Sequence, residues 1–441
     1  MERIYVKKSG PLNGTVKVSG AKNAALPILA ATILGTTETI LEGVPDLKDI
    51  SIMIEVIKSL GVEVEHLGKH TLKINAKNLN AYETSYELMS KMRASSVVMG
   101  PLLARMRKVI NPLPGGCNIG ARPIDLHLKG FRALGVDIVE EPGKITASAE
   151  KLIGSTIYLD FPSVGATQNI MMAATMAEGE TIIENAAMEP EIVDLASFLN
   201  KMGARIMGAG TSSIRIKGVK SLSGATHQII PDRIEAGTFM VAAAMTGGDV
   251  LVENCIPSHM KPIIAKLIEA GAEVEVDDDS VRVKGNKIVN PFDIKTLPYP
   301  GFPTDMQAQF MALMTISNGT CVMKETVFEN RFMHAAELAK MGANINVIDR
   351  EAIVKGTRSL VGTEVEATDL RAGAALIIAG LVADGTTTIS NIYHIDRGYE
   401  NIEEKFTALG AIISRKKEVK IEKEVINCCF WIVIVYDGLR K

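Results

Sequence analysis

The sequence has no C-x-x-C pair, no H-E-x-x-H helix signature and no glycine-rich Walker loop. Zinc-site, metalloprotease and nucleotide-hydrolysis readings therefore lack their usual handles, and no metal or cofactor is expected. Its seven histidines are dispersed, and its five cysteines, Cys117, Cys255, Cys321, Cys428 and Cys429, are odd in number and, the adjacent last two apart, widely scattered. That spacing excludes an obvious disulfide framework and points to a reducing, cytoplasmic setting. The opening stretch MERIYVKKSGPLNGTVKVSG lacks the apolar core of a signal peptide. The apolar run near the other end, CCFWIVIVY from Cys428, falls short of the ~20 residues of a membrane span. A large excess of charge of either sign is also lacking: 48 basic residues against 51 acidic ones leave −3 overall, so no global field invites nucleic acid or an anionic membrane. Any cationic function must be local.

What the sequence has is repetition. The phrase LGVEVE around Gly61 returns as LGVDIV at Gly135, MGARIM at Gly203, AGAEVE at Gly271, MGANIN at Gly342 and LGAIIS at Gly410, at intervals of 68 to 74 residues. A steady period means one supersecondary unit copied along the chain. Each copy also holds a segment of small apolar residues, such as AKNAALPILAATILG from Ala21 or LRAGAALIIAGLVADG from Leu370. These segments are apolar nearly all round, so each predicts a buried helix. A β-branched run, an amphipathic segment and the glycine phrase follow, giving β-α-β-α-β-β per copy; the glycine falls where a helix C-terminus wants φ > 0.

The 441 residues suit two or three domains, and six copies divide into two groups of three. The expected architecture is α/β: two inside-out, barrel-like lobes, each wrapping its sheets around a helical centre. Residues 22–229 would form one lobe and residues 230–420 the other, with residues 1–21 pairing as strands with the latter. Residues 421–441 read as an atypical tail with no assigned function.

Lys22, Arg93, Ser163, Arg233, Asp305 and the pair Asp369 and Arg371 stand at or just before the starts of the six buried helices. Helix N-termini carry unsatisfied N–H groups and a partial positive charge, so lobes facing each other across these ends would make an anion trap. Lys22, Arg93, Arg122, Arg331, Arg371 and Arg397 would supply its cations. In PYPGFPTDMQAQF, three prolines and Gly301 fix the chain before Asp305, which could accept a proton from a hydroxyl or cap the helix. The stretch LPGGCNIGARPIDL, Leu113 to Leu126, sets a thiol, a cation and a carboxylate on a glycine-rich loop; it reads as a closing lid or as a plain surface loop.

SGAKNAALP, PGGCNIGARPIDL, SVGATQNIMMAA, GFPTDMQAQF, ENRFMH, TDLRA and HIDRGYENIEEK, in this order, closely resemble the UDP-N-acetylglucosamine 1-carboxyvinyltransferases, enolpyruvyl transferases of peptidoglycan precursor synthesis. The likeness spans about residues 1–420. It implies addition of phosphoenolpyruvate to the 3′-hydroxyl of a UDP-sugar through a tetrahedral intermediate, then loss of phosphate. Cys117 would donate a proton, and would be open to a covalent phosphoenolpyruvate adduct and to alkylation by fosfomycin. Lys22, Asn23, Arg122 and Arg397 would hold phosphoenolpyruvate, and Asp305 would meet the acceptor hydroxyl. Arg93, the run Arg122, Pro123, Ile124, Asp125 and Leu126, the run Ser163, Val164 and Gly165, and Val327 would bind the UDP-sugar. Asp369 joins the catalytic set, and Arg331 and Arg371 the substrate-binding set. Phe161 and Pro162 stand where many members carry lysine and valine, which leaves one cation fewer for the diphosphate. Two other readings stay open: transfer to shikimate 3-phosphate, and a non-catalytic UDP-sugar binder.

Overall fold

The computed structural model describes residues 2–112 and 124–417, apart from the side chains of residues 91 and 93–95. Among them lie six sheets, one per copy of the repeat: five have four strands and one has three. The third copy shows the plan. Strand Thr156–Tyr158 leads into helix Val164–Ala174, and the chain returns as Glu180–Glu184, parallel to the first strand. Helix Pro190–Lys201 follows, then Arg205–Met207 and Ser213–Lys217 add on antiparallel. A parallel pair needs a crossover, and here the crossover is the buried helix. The predicted unit is thus the observed one.

Three strands that complete the plan come from afar. Thr226–Gln228 pairs in parallel with Thr39–Glu42 of the first copy. Asn13–Lys17, near the chain start, pairs in parallel with Asp249–Glu253 of the fourth, and Glu2–Lys7 lies between Thr386–Ser390 and Ile412–Lys417 of the sixth. The three sheets of each half surround its helices.

All six repeat glycines, Gly61, Gly135, Gly203, Gly271, Gly342 and Gly410, hold φ between +85° and +108°, directly after their amphipathic helices. A side chain there would strain the αL turn that ends each helix. In helix Leu370–Val382, every residue from Arg371 to Leu381 is buried. Each of its buried Leu and Ile side chains contributes about 1.5–3 kcal/mol by leaving water. Small residues let neighbours approach: a Cβ on Gly100 would sit 2.3 Å from the Asn169 carbonyl oxygen.

Two apolar cores result. One draws on residues from Ala21 to Ile229, the other on Ile4 to Val18 and Ile234 to Ala411. The chain crosses between them twice, side by side: Ala21 N–H donates to Ile230 O (2.7 Å) and Asp232 N–H to Ser19 O (2.9 Å). The predicted tail, residues 421–441, lies outside the described residues.

Candidate active site

The buried helices begin where the sequence places them, and three start with a side-chain cap. Ser163 Oγ accepts from Ala166 N, Asp232 from Ile234 N and Glu235 N, and Asp369 Oδ1 from Arg371 N (2.8 Å) and Ala372 N (3.0 Å). Asp369, read above as catalytic, is engaged as this cap.

Asp305 does not serve as a helix cap: no side-chain cap hydrogen bond forms at this helix start. Arg331 Nη2 donates to its Oδ1 (2.7 Å), and Arg371 donates to Oδ2 from Nη2 (3.0 Å) and Nε (3.3 Å). Both arginines are buried, at 6% and 2% exposure, so these charges meet in little water. Burial alone would raise the Asp305 carboxyl, but Arg371 and Arg331 outweigh it and hold it well below the usual carboxylate range. Beneath Arg371 lies the Tyr399 ring, 5.3 Å away, whose hydroxyl bonds Thr238 Oγ1 (3.0 Å) and accepts from Gln309 Nε2 (3.2 Å). Arg371 Nη1 is buried without a hydrogen-bond partner of normal geometry among the described residues.

A second carboxylate stands opposite. Asp49, in the first turn of helix Lys48–Ser59 and 1% exposed, pairs with Lys22 Nζ (2.7 Å) and with Arg397 Nε (2.8 Å). Burial pushes Asp49 up, but Lys22 and Arg397 win and its pKa is lowered. Burial pushes the Lys22 ammonium down; Asp49 opposes that and the charges of Arg371 and Arg397 reinforce it, so the result is a lowered pKa. Four cations, Lys22, Arg331, Arg371 and Arg397, therefore gather around two carboxylates. Asn23 joins the two centres, its Nδ2 lying 3.5 Å from Asp305 Oδ2. Asp49 was missed in the sequence; it belongs to no motif, and its only signal is an acidic residue at a helix start, where the dipole favours one.

The remaining residues fall around this centre. Ile124, Asp125 and Leu126 open helix Asp125–Ala133, and Ser163 to Gly165 open helix Val164–Ala174. The two segments are neighbours. His127 Nδ1 lies 2.8 Å from Asn169 Nδ2, and a Cβ on Gly165 would come within 3.1 Å of the His127 ring. Val327 is half-buried and its N–H donates to Glu325 Oε1 (2.8 Å). Arg93 opens a 3₁₀ turn, Arg93–Val98, and its side chain is outside the description, as are Cys117, Arg122 and Pro123 altogether. Among the described residues, no group of three or more His, Cys, Asp or Glu could hold a metal, and no helix is long and apolar enough to cross a membrane.

A family model described as EPSP synthase (3-phosphoshikimate 1-carboxyvinyltransferase) matches residues 6–406. The chain is 63% identical over 418 residues to a UDP-N-acetylglucosamine 1-carboxyvinyltransferase of Finegoldia magna, covering 94% of this chain and 99% of that one. It is 61% identical over 415 residues to UDP-N-acetylglucosamine 1-carboxyvinyltransferase 1 of Caldanaerobacter subterraneus subsp. tengcongensis, with the same 94% and 99% coverage. In fold it is similar to the enolpyruvyl transferase NikO of Streptomyces tendae, with a TM-score of 0.86 and 24% identity, covering 95% of this chain and 99% of that one. It is also similar to EPSP synthase of Acinetobacter baumannii, with a TM-score of 0.73 and 20% identity over 95% and 100% of the two chains. This chain is a transferase, and it belongs to the enolpyruvyl transferase family that takes in EPSP synthase and the UDP-N-acetylglucosamine 1-carboxyvinyltransferases.

Proposed function

We propose that this enzyme transfers the enolpyruvyl group of phosphoenolpyruvate to the 3′-hydroxyl of UDP-N-acetylglucosamine, releasing phosphate, as a step of peptidoglycan precursor synthesis. The observation that carries the reading is the pair Lys22 and Asn23. Adjacent at one helix start, they address opposite carboxylates, Asp49 and Asp305, and so draw cations of both lobes into one buried site. A donor with a carboxylate and a phosphate needs several fixed cations, and a dry site strengthens each of them.

In this reading Lys22, Asn23, Arg122 and Arg397 hold phosphoenolpyruvate, and the buried Nη1 donor of Arg371 adds to them. The segments Ile124 to Leu126 and Ser163 to Gly165, with Arg93, Pro123 and Val327, take the UDP-sugar. The Cys117 thiol gives a proton to the enol methylene while the acceptor oxygen attacks the enol carbon. Asp305 receives the hydroxyl proton. Its two arginines make it a weak base at rest, so proton transfer becomes favourable only as one of them turns toward an anionic reactant. Loss of a methyl proton and of phosphate from the tetrahedral intermediate then leaves the enolpyruvyl ether. The reaction belongs in the cytoplasm, where a phosphorylated donor and a nucleotide sugar both reside.

Phosphate release tests this directly. Phosphoenolpyruvate with UDP-N-acetylglucosamine should yield phosphate, and phosphoenolpyruvate with shikimate 3-phosphate should not. Release only with the latter would move the enzyme to the sister reaction; binding of the UDP-sugar without release would make it an idle binder.

A further inference from the structure

Glu325 follows strand Thr320–Lys324, is 1% exposed, and belongs to none of the motifs described above. Its Oε1 accepts from Thr296 Oγ1 (2.9 Å), Val327 N–H (2.8 Å) and Phe328 N–H (3.1 Å); its Oε2 accepts from Thr304 Oγ1 (2.8 Å). All four donors are neutral. They lie in three separate segments, and two of these segments carry residues of the site.

Both segments lead to Arg331. Thr304 gives its hydroxyl proton to Glu325, which turns its lone pairs outward, and Arg331 Nη1 donates to that oxygen (2.9 Å). From there Arg331 Nη2 reaches Asp305. The Phe328 ring, whose own N–H is tied to Glu325, lies 5.0 Å from the Arg331 guanidinium, within range of a cation–π contact. Glu325 thus grips the Arg331 fork from two sides without touching it.

We propose that Glu325 is a positioning residue for the acceptor side of the reaction: through Thr304 and Phe328 it fixes Arg331 against Asp305, and it holds Val327 in register with them. The proposal rests on the reaction given above. The role calls for a carboxylate. A glutamine could keep its carbonyl toward the three donors at Oε1, but its amide would then face Thr304 Oγ1 as a second donor. Thr304 would have to accept from both the amide and Arg331, and its own proton would lose its acceptor.

The test is steady-state kinetics on Glu325→Gln and Thr304→Val, with thermal melting alongside to confirm folding. Each variant should lower kcat/KM for UDP-N-acetylglucosamine by about 10-fold or more, since small displacements of reacting groups are costly. The KM for phosphoenolpyruvate, whose ligands lie elsewhere, should stay within about twofold. The double variant should be no worse than the poorer single one, because both cut the same connection. Equal rises in both KM values, losses that multiply in the double variant, or unchanged kinetics would each overturn the role. If the wild-type enzyme releases no phosphate, the reaction assigned above fails separately, and calorimetric binding of UDP-N-acetylglucosamine alone decides this inference. Binding weakened about 10-fold in Glu325→Gln would sustain it; equal binding, or none by wild type, would overturn it.

Discussion

The two carboxylate centres of the site look alike and are built differently. Asp305 is held by Arg331 and Arg371, both from its own half of the molecule, so this centre is assembled within one lobe. Asp49 is held by Lys22 from its own half and by Arg397 from the other, so this centre exists only when the lobes meet. The partners differ too. Neither arginine can shed its charge, whereas Lys22 already has a lowered pKa and can lose its proton if its partner goes. One centre is a scaffold within a lobe and the other a joint between the two lobes.

Asp305→Asn attacks the scaffold and should have the largest effect. It leaves two buried guanidiniums without a counter-charge, a loss on the order of 3–5 kcal/mol of stability by urea unfolding. If Asp305 accepts the hydroxyl proton, kcat should also fall by about 10² to 10⁴. A variant as stable as wild type would mean that the centre is not preassembled.

How much of this was readable in advance follows the same division. The six copies showed because αL glycines and all-round apolar helices are local requirements, written into consecutive residues. Lys22, Asn23, Arg331, Arg371 and Arg397 showed because they sit in recognisable segments. Asp49 and Glu325 did not, and nothing marked out Tyr399 within HIDRGYENIEEK: each relies on at least two partners tens to hundreds of residues away, and no spacing along the chain records such a pairing. The fate of Asp305 had the same cause. Its local sequence suits a helix cap, and only the approach of Arg331 and Arg371 makes it an ion-pair centre.

Next in size is a pH effect seated in the same lobe. Burial drives the His334 imidazole down to about 4 from 6.5, with Arg331 adding to the shift and Asp369 opposing it. The unfolded chain binds a proton here below pH 6.5 and the folded one only near 4, so the stability His334 contributes is complete above 6.5 and drains as pH falls through that window. The loss is on the order of 2–3 kcal/mol. Melting temperatures taken from pH 7 to 4 should fall before most carboxylates titrate, and His334→Gln should flatten that slope. An unchanged slope would place the acid sensitivity elsewhere.

Asp49→Asn attacks the joint. Stability should suffer less than in Asp305→Asn, because Lys22 can deprotonate and Arg397, at 24% side-chain exposure, can turn to water. Function carries the cost instead. Without Asp49, burial and the neighbouring arginines depress the Lys22 ammonium further, so the KM for phosphoenolpyruvate should rise about 10- to 100-fold. Because the charged lysine is the binding form, the defect should deepen as pH rises. A defect that shrinks with rising pH would contradict the assignment of Lys22.

The smallest effect belongs to the rim of the joint. Three residues beyond Arg397, Glu400 reaches across to the first lobe, accepting from Asp46 N–H (3.2 Å) and pairing with Lys69 Nζ (3.1 Å). Glu400 is 6% exposed at its side chain but Lys69 is 62% exposed, so solvent screens the pair from one side. Exposed pairs of this kind are worth about 0–1 kcal/mol. The Asp46 amide remains in place when Lys69 is replaced by Ala, so Arg397 keeps its approach to Asp49, and the KM for phosphoenolpyruvate should rise less than about threefold. The rise should vanish in high salt, where the wild-type pair is already screened. A large defect that persists in salt would mean that Lys69 itself acts on a reactant, and the joint would then extend outward beyond Arg397.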